Sequence, residues 1–139
     1  QIVEVIRDIR DRLNTAIILI THDLGLIAGM VDRIIVMYSG FIVEEALVDD
    51  IYTDPRHPYT KGLLSSIPKL RGEEKRRLQS IEGAPPDLTV APQACPFEPR
   101  CEFAFDRCRK ENPVLKRVSG VSEESVHRAA CWVDTKKEV

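Results

Sequence analysis

No stretch of this chain is apolar for long enough to cross a bilayer as a helix. The longest runs, Ala16 to Ile20 and Ile34 to Tyr38, fall far short of the roughly 20 residues that a span requires. Charge of one sign is lacking as well: Lys plus Arg total 20 against 22 for Asp plus Glu, a formal net charge of -2. That balance removes any global electrostatic reason to expect nucleic acid or an anionic membrane surface. Aromatic residues make up 6% with a single Trp, so the basic, aromatic-interleaved face of a zinc-dependent nucleic-acid binder is missing. No G-x-x-x-x-G-K-[ST] occurs, and without that loop a chain does not cradle the β and γ phosphates of a nucleotide with its magnesium. The chain opens on Gln1 and reads as helix at once, not as a basic stretch followed by an apolar leader. It therefore reads as a piece of a longer protein of cytosolic origin. In that compartment the four cysteines, none in a C-x-x-C pair, are expected to be thiols or metal ligands before disulfides. No internal repeat is visible.

What remains is a chain of 139 residues, 43% hydrophobic and 30% charged, enough for one modest core. Ile2, Val5, Ile6, Ile9 and Leu13 recur at helical spacing, and Asn14 is a natural stop. Thr15 to Ile20 is short, rich in β-branched residues and without alternation, the pattern of a strand buried on both faces of a parallel sheet. Asp23 or Thr21 can cap a helix from about Leu24 to Val31. Arg33 to Tyr38 reads as a strand, Ser39-Gly40 as a two-residue hairpin turn, and Phe41 to Ala46 as the returning strand. A doubly buried strand needs neighbours on both sides, and no earlier strand is present to flank Ala16 to Ile20. Other sequence or another copy must complete that sheet.

Beyond Ala46 the texture changes to short helical pieces broken by Asp54-Pro55 and His57-Pro58. Pro58 is suited to the first turn of a helix through about Ile67. His57 sits in a turn, where packing or capping is its expected role. The run Arg71 to Arg77 mixes both charges and reads as a solvated face. Gly83-Ala84-Pro85-Pro86 marks an extended linker.

The polar residue just after Ile20 sits where ligands bind in open α/β sheets, beyond the carboxyl end of a strand. That residue is His22, and an imidazole suits contact with a terminal phosphate and the water attacking it. Position alone leaves simple helix capping equally open. The stretches Ala16-Ile17-Ile18-Leu19-Ile20-Thr21-His22-Asp23-Leu24 and Asp32 to Glu44 resemble the last third of an ABC-transporter ATPase domain. In that family the strand-end histidine touches the γ-phosphate of ATP, and His22 matches it. The phosphate loop, the Walker B acids and the signature loop lie upstream of this segment in the family. The resemblance thus implies that the chain by itself does not hydrolyse ATP. Tyr52 to Leu64, with Glu82-Gly83-Ala84-Pro85-Pro86, narrows the likeness to the oligopeptide and dipeptide importer branch.

Cys95, Cys101, Cys108 and Cys131 leave five, six and twenty-two residues between them. Four thiolates are the number that closes a tetrahedral zinc site or holds an iron-sulfur cluster. Cys95 to Cys101 and an expected helix from Glu102 to Lys110, carrying Cys108, bring three sulfurs round one point, and Cys131 returns later. Arg100, Arg107, Arg109, Lys110, His127 and Arg128 surround the set and are expected to offset cysteinate charge. A satellite cluster of unlinked or oxidised cysteines is the alternative, since reduced cysteine also packs as a small hydrophobe. Cys95-Pro96-Phe97-x-Pro99-Arg100-Cys101, then Cys108 and His127-x-x-x-Cys131, is similar to the C-terminal extension of the peptide-importer ATPases, which can carry a 4Fe-4S cluster. The interval before Cys131 is long for that pattern, which makes His127 the substitute for the fourth ligand.

The expected fold class is α/β: the C-terminal remnant of a P-loop-type ABC ATPase sheet, followed by a mostly helical or irregular extension bearing the cysteines. Residues 1–46 form the ATPase portion, 47–82 a helical connector and 83–139 the four-cysteine extension. The implied parent binds ATP and Mg2+ and works with membrane permease subunits and a second ATPase subunit at the cytoplasmic face of the membrane. Left without flanking strands, the segment is expected to self-associate. A self-contained iron-sulfur or zinc module without nucleotide chemistry is the competing reading.

Overall fold

The computed structural model describes residues 2–67, 81–87 and 89–135. Its chain contacts divide it into a unit up to Asp32 and a unit from Arg33 onward. The charge run Arg71 to Arg77 lies outside the described residues.

In the first unit, α1 runs from Ile2 to Leu13 and buries none of its residues. Asn14 ends it in the left-handed region, at φ 45°, a conformation that Asn tolerates better than most side chains. A short α2, Leu24–Ile27, is capped by the Asp23 carboxylate, which accepts from the Leu26 N–H at 3.2 Å. It is half the expected length because the turn at Ala28 to Met30 follows at once. Arg7 and Arg10 of α1 donate to the carbonyls of Gly29 and Met30 in that turn. The expected strand over Ala16–Ile20 does not form. These residues carry no regular structure, and Ile18 and Ile20 are 92% and 93% exposed. A strand with two apolar faces is stable only between neighbours that take its backbone hydrogen bonds and cover its side chains.

The second unit is built on a hairpin. Strand β1, Arg33–Tyr38, alternates exposed and buried positions, sending Ile34, Val36 and Tyr38 inward. Ser39 and Gly40 turn the chain with φ of 49° and 83°, both positive, as a two-residue turn matched to strand twist requires. Strand β2, Phe41–Leu47, returns antiparallel, with a register shift opposite Val36 and Met37. Val36 faces Glu44 while Met37 faces Ile42, so Val43 is the extra residue of a bulge. A bulge breaks the alternation of a strand and re-aims a side chain. Here Val43 and Glu44 are consecutive and both buried, which is how a glutamate enters the core.

Helices α3, Val48–Thr53, and α4, Pro58–Ser65, follow, the second opened by Pro58 as expected. Past the linker the chain forms a 3-10 turn at Glu98–Arg100 and then two short strands, β3 at Lys116–Arg117 and β4 at Arg128–Ala129. The sheet order is β1-β2-β4-β3, all antiparallel. Two expectations are corrected. The parallel sheet expected around Ala16–Ile20 does not form among the described residues, and the extension contributes two strands to the antiparallel sheet that the expected hairpin begins. Glu102 to Lys110 is a series of turns, not a helix, because its backbone closes three-residue bonds such as Ala104 N–H to Cys101 O and Cys108 N–H to Phe105 O. The core gathers Ile34, Val36, Val43, Ala46, Ile51, Phe97 and Ala129, with Tyr38, Tyr59 and Phe97 stacked at centroid distances of 4.6 to 5.4 Å.

Candidate functional site

His22, the expected phosphate contact, is exposed in the first unit and lies between two capping residues. The Thr21 hydroxyl accepts from the Asp23 N–H at 3.0 Å, and Asp23 caps α2. The backbone around His22 is therefore fixed by its neighbours, leaving the imidazole in solvent.

The four cysteines come together. Cys95, Cys101, Cys108 and Cys131 all line one small cavity, of about 10 Å³, with Phe97, Phe103 and Trp132 among its apolar walls. None is in a disulfide. Three of them share a self-bonded loop: the Cys95 N–H donates to the Cys108 carbonyl at 3.0 Å, Glu98 N–H to Cys95 O at 3.1 Å, and Cys101 N–H to Glu98 O at 3.1 Å. Burial pushes the Cys101 thiol up to about 12 and raises those of Cys95 and Cys131, with neighbouring thiols adding in the same direction. Those three thiols are thus held in the protonated form at neutral pH, where a thiol is a poor nucleophile. Among the described residues, no group of three or more His, Cys, Asp or Glu side chains stands in the geometry that holds a metal ion. Sharing a cavity is a weaker condition than ligand geometry, and the thiols meet only the first.

The four arginines expected around the thiols are bonded to carboxylates and carbonyls. Arg109 bonds Glu98 at 3.0 Å and Asp106 at 3.1 Å, while Arg107 bonds Glu111 at 2.9 Å and stacks over Trp132. Arg128 meets Glu45 at 3.3 Å. Arg100 donates to the Ile81 and Glu82 carbonyls. His127, the substitute ligand, does not line the cavity. Its Nε2 lies 2.8 Å from Glu44 Oε1, with both side chains essentially out of solvent.

Glu44 is the site residue that sequence reading missed. Besides His127, its carboxylate accepts the Arg56 N–H at 2.7 Å and the His57 N–H at 2.9 Å. A buried carboxylate is tolerable only when its lone pairs are taken, and here three donors take them. Arg56 extends the junction. Its guanidinium forks onto Asp54 with two bonds of 2.8 Å and reaches Asp134 at 3.3 Å and the Ser119 carbonyl at 3.1 Å. Thr135 Oγ1 donates to the Arg56 carbonyl at 2.7 Å, and Lys61 Nζ to the Thr135 carbonyl at 2.9 Å. His57 Nδ1 accepts from the Tyr59 N–H at 3.1 Å, the capping role expected of it, and burial lowers its pKa to about 4 against the opposing pull of Glu44. The one sequence signal for this junction was the Arg56-His57-Pro58 turn. The bulge hid Glu44, since strict alternation after Val43 makes it an outward residue.

Residues 43–108 match the family model described as oligopeptide/dipeptide transporter, C-terminal region. The chain is 44% identical over 132 residues to a probable peptide ABC transporter ATP-binding protein, y4tR, of Sinorhizobium fredii, covering 95% of this chain and 38% of that protein. It is 45% identical over 133 residues to the oligopeptide transport ATP-binding protein OppD of Bacillus subtilis, with coverages of 96% and 36%. Against AppD of the same organism, also an oligopeptide transport ATP-binding protein, it is 47% identical over 115 residues, with coverages of 83% and 35%. The chain therefore spans little more than a third of the length of these relatives.

Proposed function

This chain belongs to the oligopeptide and dipeptide importer family of ABC-transporter ATP-binding subunits, and from that premise we propose that it is the C-terminal part of a subunit whose ATP hydrolysis drives peptide uptake. The observation that carries the reading is identity of 44 to 47% sustained across most of the chain. In the assembled subunit His22 contacts the γ-phosphate of ATP, while the phosphate loop and acidic residues that hold Mg2+ come from the part of the subunit that precedes this segment. Permease subunits and a second ATPase subunit are the partners, met at the cytoplasmic face of the membrane. Among the described residues no helix is long and apolar enough to cross a membrane. Alone, the chain turns over no ATP and self-associates through its uncovered apolar segment.

The four thiols form the second element of the proposal. Their donor chemistry fits a thiolate-bound metal, with Cys95, Cys101, Cys108 and Cys131 as the holders. Family resemblance favours a 4Fe-4S cluster. The volume of the cavity, near that of one water-sized sphere, favours a single zinc ion as the second reading. Either metal supplies the positive charge that lets the buried thiols ionise, and its binding releases their protons. Anaerobic purification followed by metal and sulfide analysis decides: iron with acid-labile sulfide supports the cluster, one zinc per chain the ion, and neither removes the metal centre from the proposal. The transport reading is tested separately by reconstituting the whole subunit with its permease in vesicles. Peptide uptake and ATP hydrolysis are expected, both abolished by His22→Ala. Hydrolysis unchanged in that variant contradicts the role of His22.

A further inference from the structure

The four thiols reach their cavity on two separate pieces of chain. Cys95, Cys101 and Cys108 sit on the loop that closes on itself through the Cys95–Cys108, Glu98–Cys95 and Cys101–Glu98 backbone bonds. Cys131 sits on the tail, just past β4, and that tail is held by the hairpin. The Ala130 N–H donates to the Val43 carbonyl at 2.8 Å, Ala129 faces Glu44 across the sheet, and His127 meets the Glu44 carboxylate. The same carboxylate holds the backbone of Arg56 and His57, and His57 is among the residues that line the cavity. On the far side of Cys131 the tail is tied through Asp134 and Thr135 to Arg56. On the hairpin side the buried anchors that flank Cys131 converge on Val43 and Glu44, while the Arg128–Glu45 pair lies further out, with Arg128 half exposed.

We infer that Glu44 is the positioning residue for Cys131: the fourth thiol joins the other three only while the buried Glu44–His127 contact locks the tail onto β2. This deepens the reading of the four thiols as one centre, and rests on it. The consequence is a link between two parts of the subunit. A displacement of β2, the last strand of the region that resembles the nucleotide-hydrolysing domain, is passed through one carboxylate to one cysteine, leaving the three-cysteine loop in place. The bulge at Val43 makes the arrangement possible, because it turns Val43 and Glu44 inward together.

The test uses the metal-free, reduced chain, so that it stands apart from any metal assignment. Iodoacetamide labelling of each cysteine is followed by mass spectrometry in the wild type, Glu44→Gln, His127→Gln and the control Glu45→Gln, which removes only the partner of Arg128. Local opening of the tail raises labelling at Cys131 by about tenfold in Glu44→Gln and His127→Gln, with Cys95, Cys101 and Cys108 within about twofold of wild type, as expected for opening of one segment and not of the whole fold. Glu45→Gln leaves all four unchanged. Should Glu44→Gln fail to fold, His127→Gln decides alone, since it keeps both backbone bonds of Glu44. A uniform rise at all four cysteines, or no selective rise at Cys131 in His127→Gln, overturns the inference. In parallel, metal loading is measured: wild type that binds no metal sinks the shared-centre reading without touching the labelling result, whereas wild type and Glu44→Gln that bind metal equally well, with identical absorption spectra, contradict the positioning role.

Discussion

Two apolar stretches of this chain meet opposite fates. Ala16–Ile20 is more uniformly hydrophobic than Arg33–Tyr38, yet it is exposed and unstructured, while the second is a strand with three buried side chains. What separates them is the supply of partners. Arg33–Tyr38 finds a returning strand just past the Ser39-Gly40 turn, and its inner face is covered by α3, Phe97 and Tyr59. The other has nothing described to pair with. Apolar composition provides the drive for burial, but hydrogen-bonding neighbours decide whether a strand results. The polar groups differ too: those of the first unit stay at the surface, whereas Glu44, Arg56, His57 and His127 of the second are all buried and all bonded.

The sharpest way to break this contrast is Glu44→Ala. It leaves the Arg56 and His57 N–H groups and the His127 ring buried without their acceptor, and a cost of about 3–5 kcal/mol in urea unfolding is expected. A loss under about 1 kcal/mol shows that the junction is not what holds the unit together. Acidification comes next. His57 has a folded pKa near 4 against an unfolded value of 6.5, so the unfolded chain binds more protons between those limits. The stability tied to a neutral His57 is complete above pH 6.5 and is lost as pH falls through 4, a change of about 3 kcal/mol. Denaturant midpoints across that range check it, and His57→Gln should flatten the slope.

Arg56→Lys keeps the charge but loses the fork onto Asp54 and the reach to Asp134 and Ser119. About 2 kcal/mol is expected from equilibrium unfolding, because an ammonium cannot reproduce planar, bidentate bonding. The smallest effect belongs to the first unit: Ile18→Ser should change the stability of this chain by no more than about 0.5 kcal/mol, as for other exposed positions. The same substitution in the whole subunit should cost several times more if the segment is buried there, which melting of both proteins compares directly.

Much of the second unit was legible beforehand. The hairpin follows from the short apolar run of Arg33–Tyr38 bounded by Ser39-Gly40, and α4 from Pro58, because both signals are local. The convergence of the cysteines was legible from their number and spacing, though the helix expected between two of them gave way to turns. Glu44 and the β3–β4 pair were not legible. The first depends on a one-residue bulge and the second on strands of two residues each, and neither leaves a periodic trace. The strand at Ala16–Ile20 was misread because its pattern describes a sheet larger than the described chain supplies.

Hydrogen exchange on this chain and on the whole subunit tests most directly whether that apolar segment awaits neighbours from an ATPase sheet. The account predicts that amides of residues 16–20 exchange within seconds here and become strongly protected in the whole subunit, while those of Val43–Ala46 and Ala129–Ala130 are protected in both. Protection of residues 16–20 in this chain alone, or its absence in the whole subunit, contradicts it.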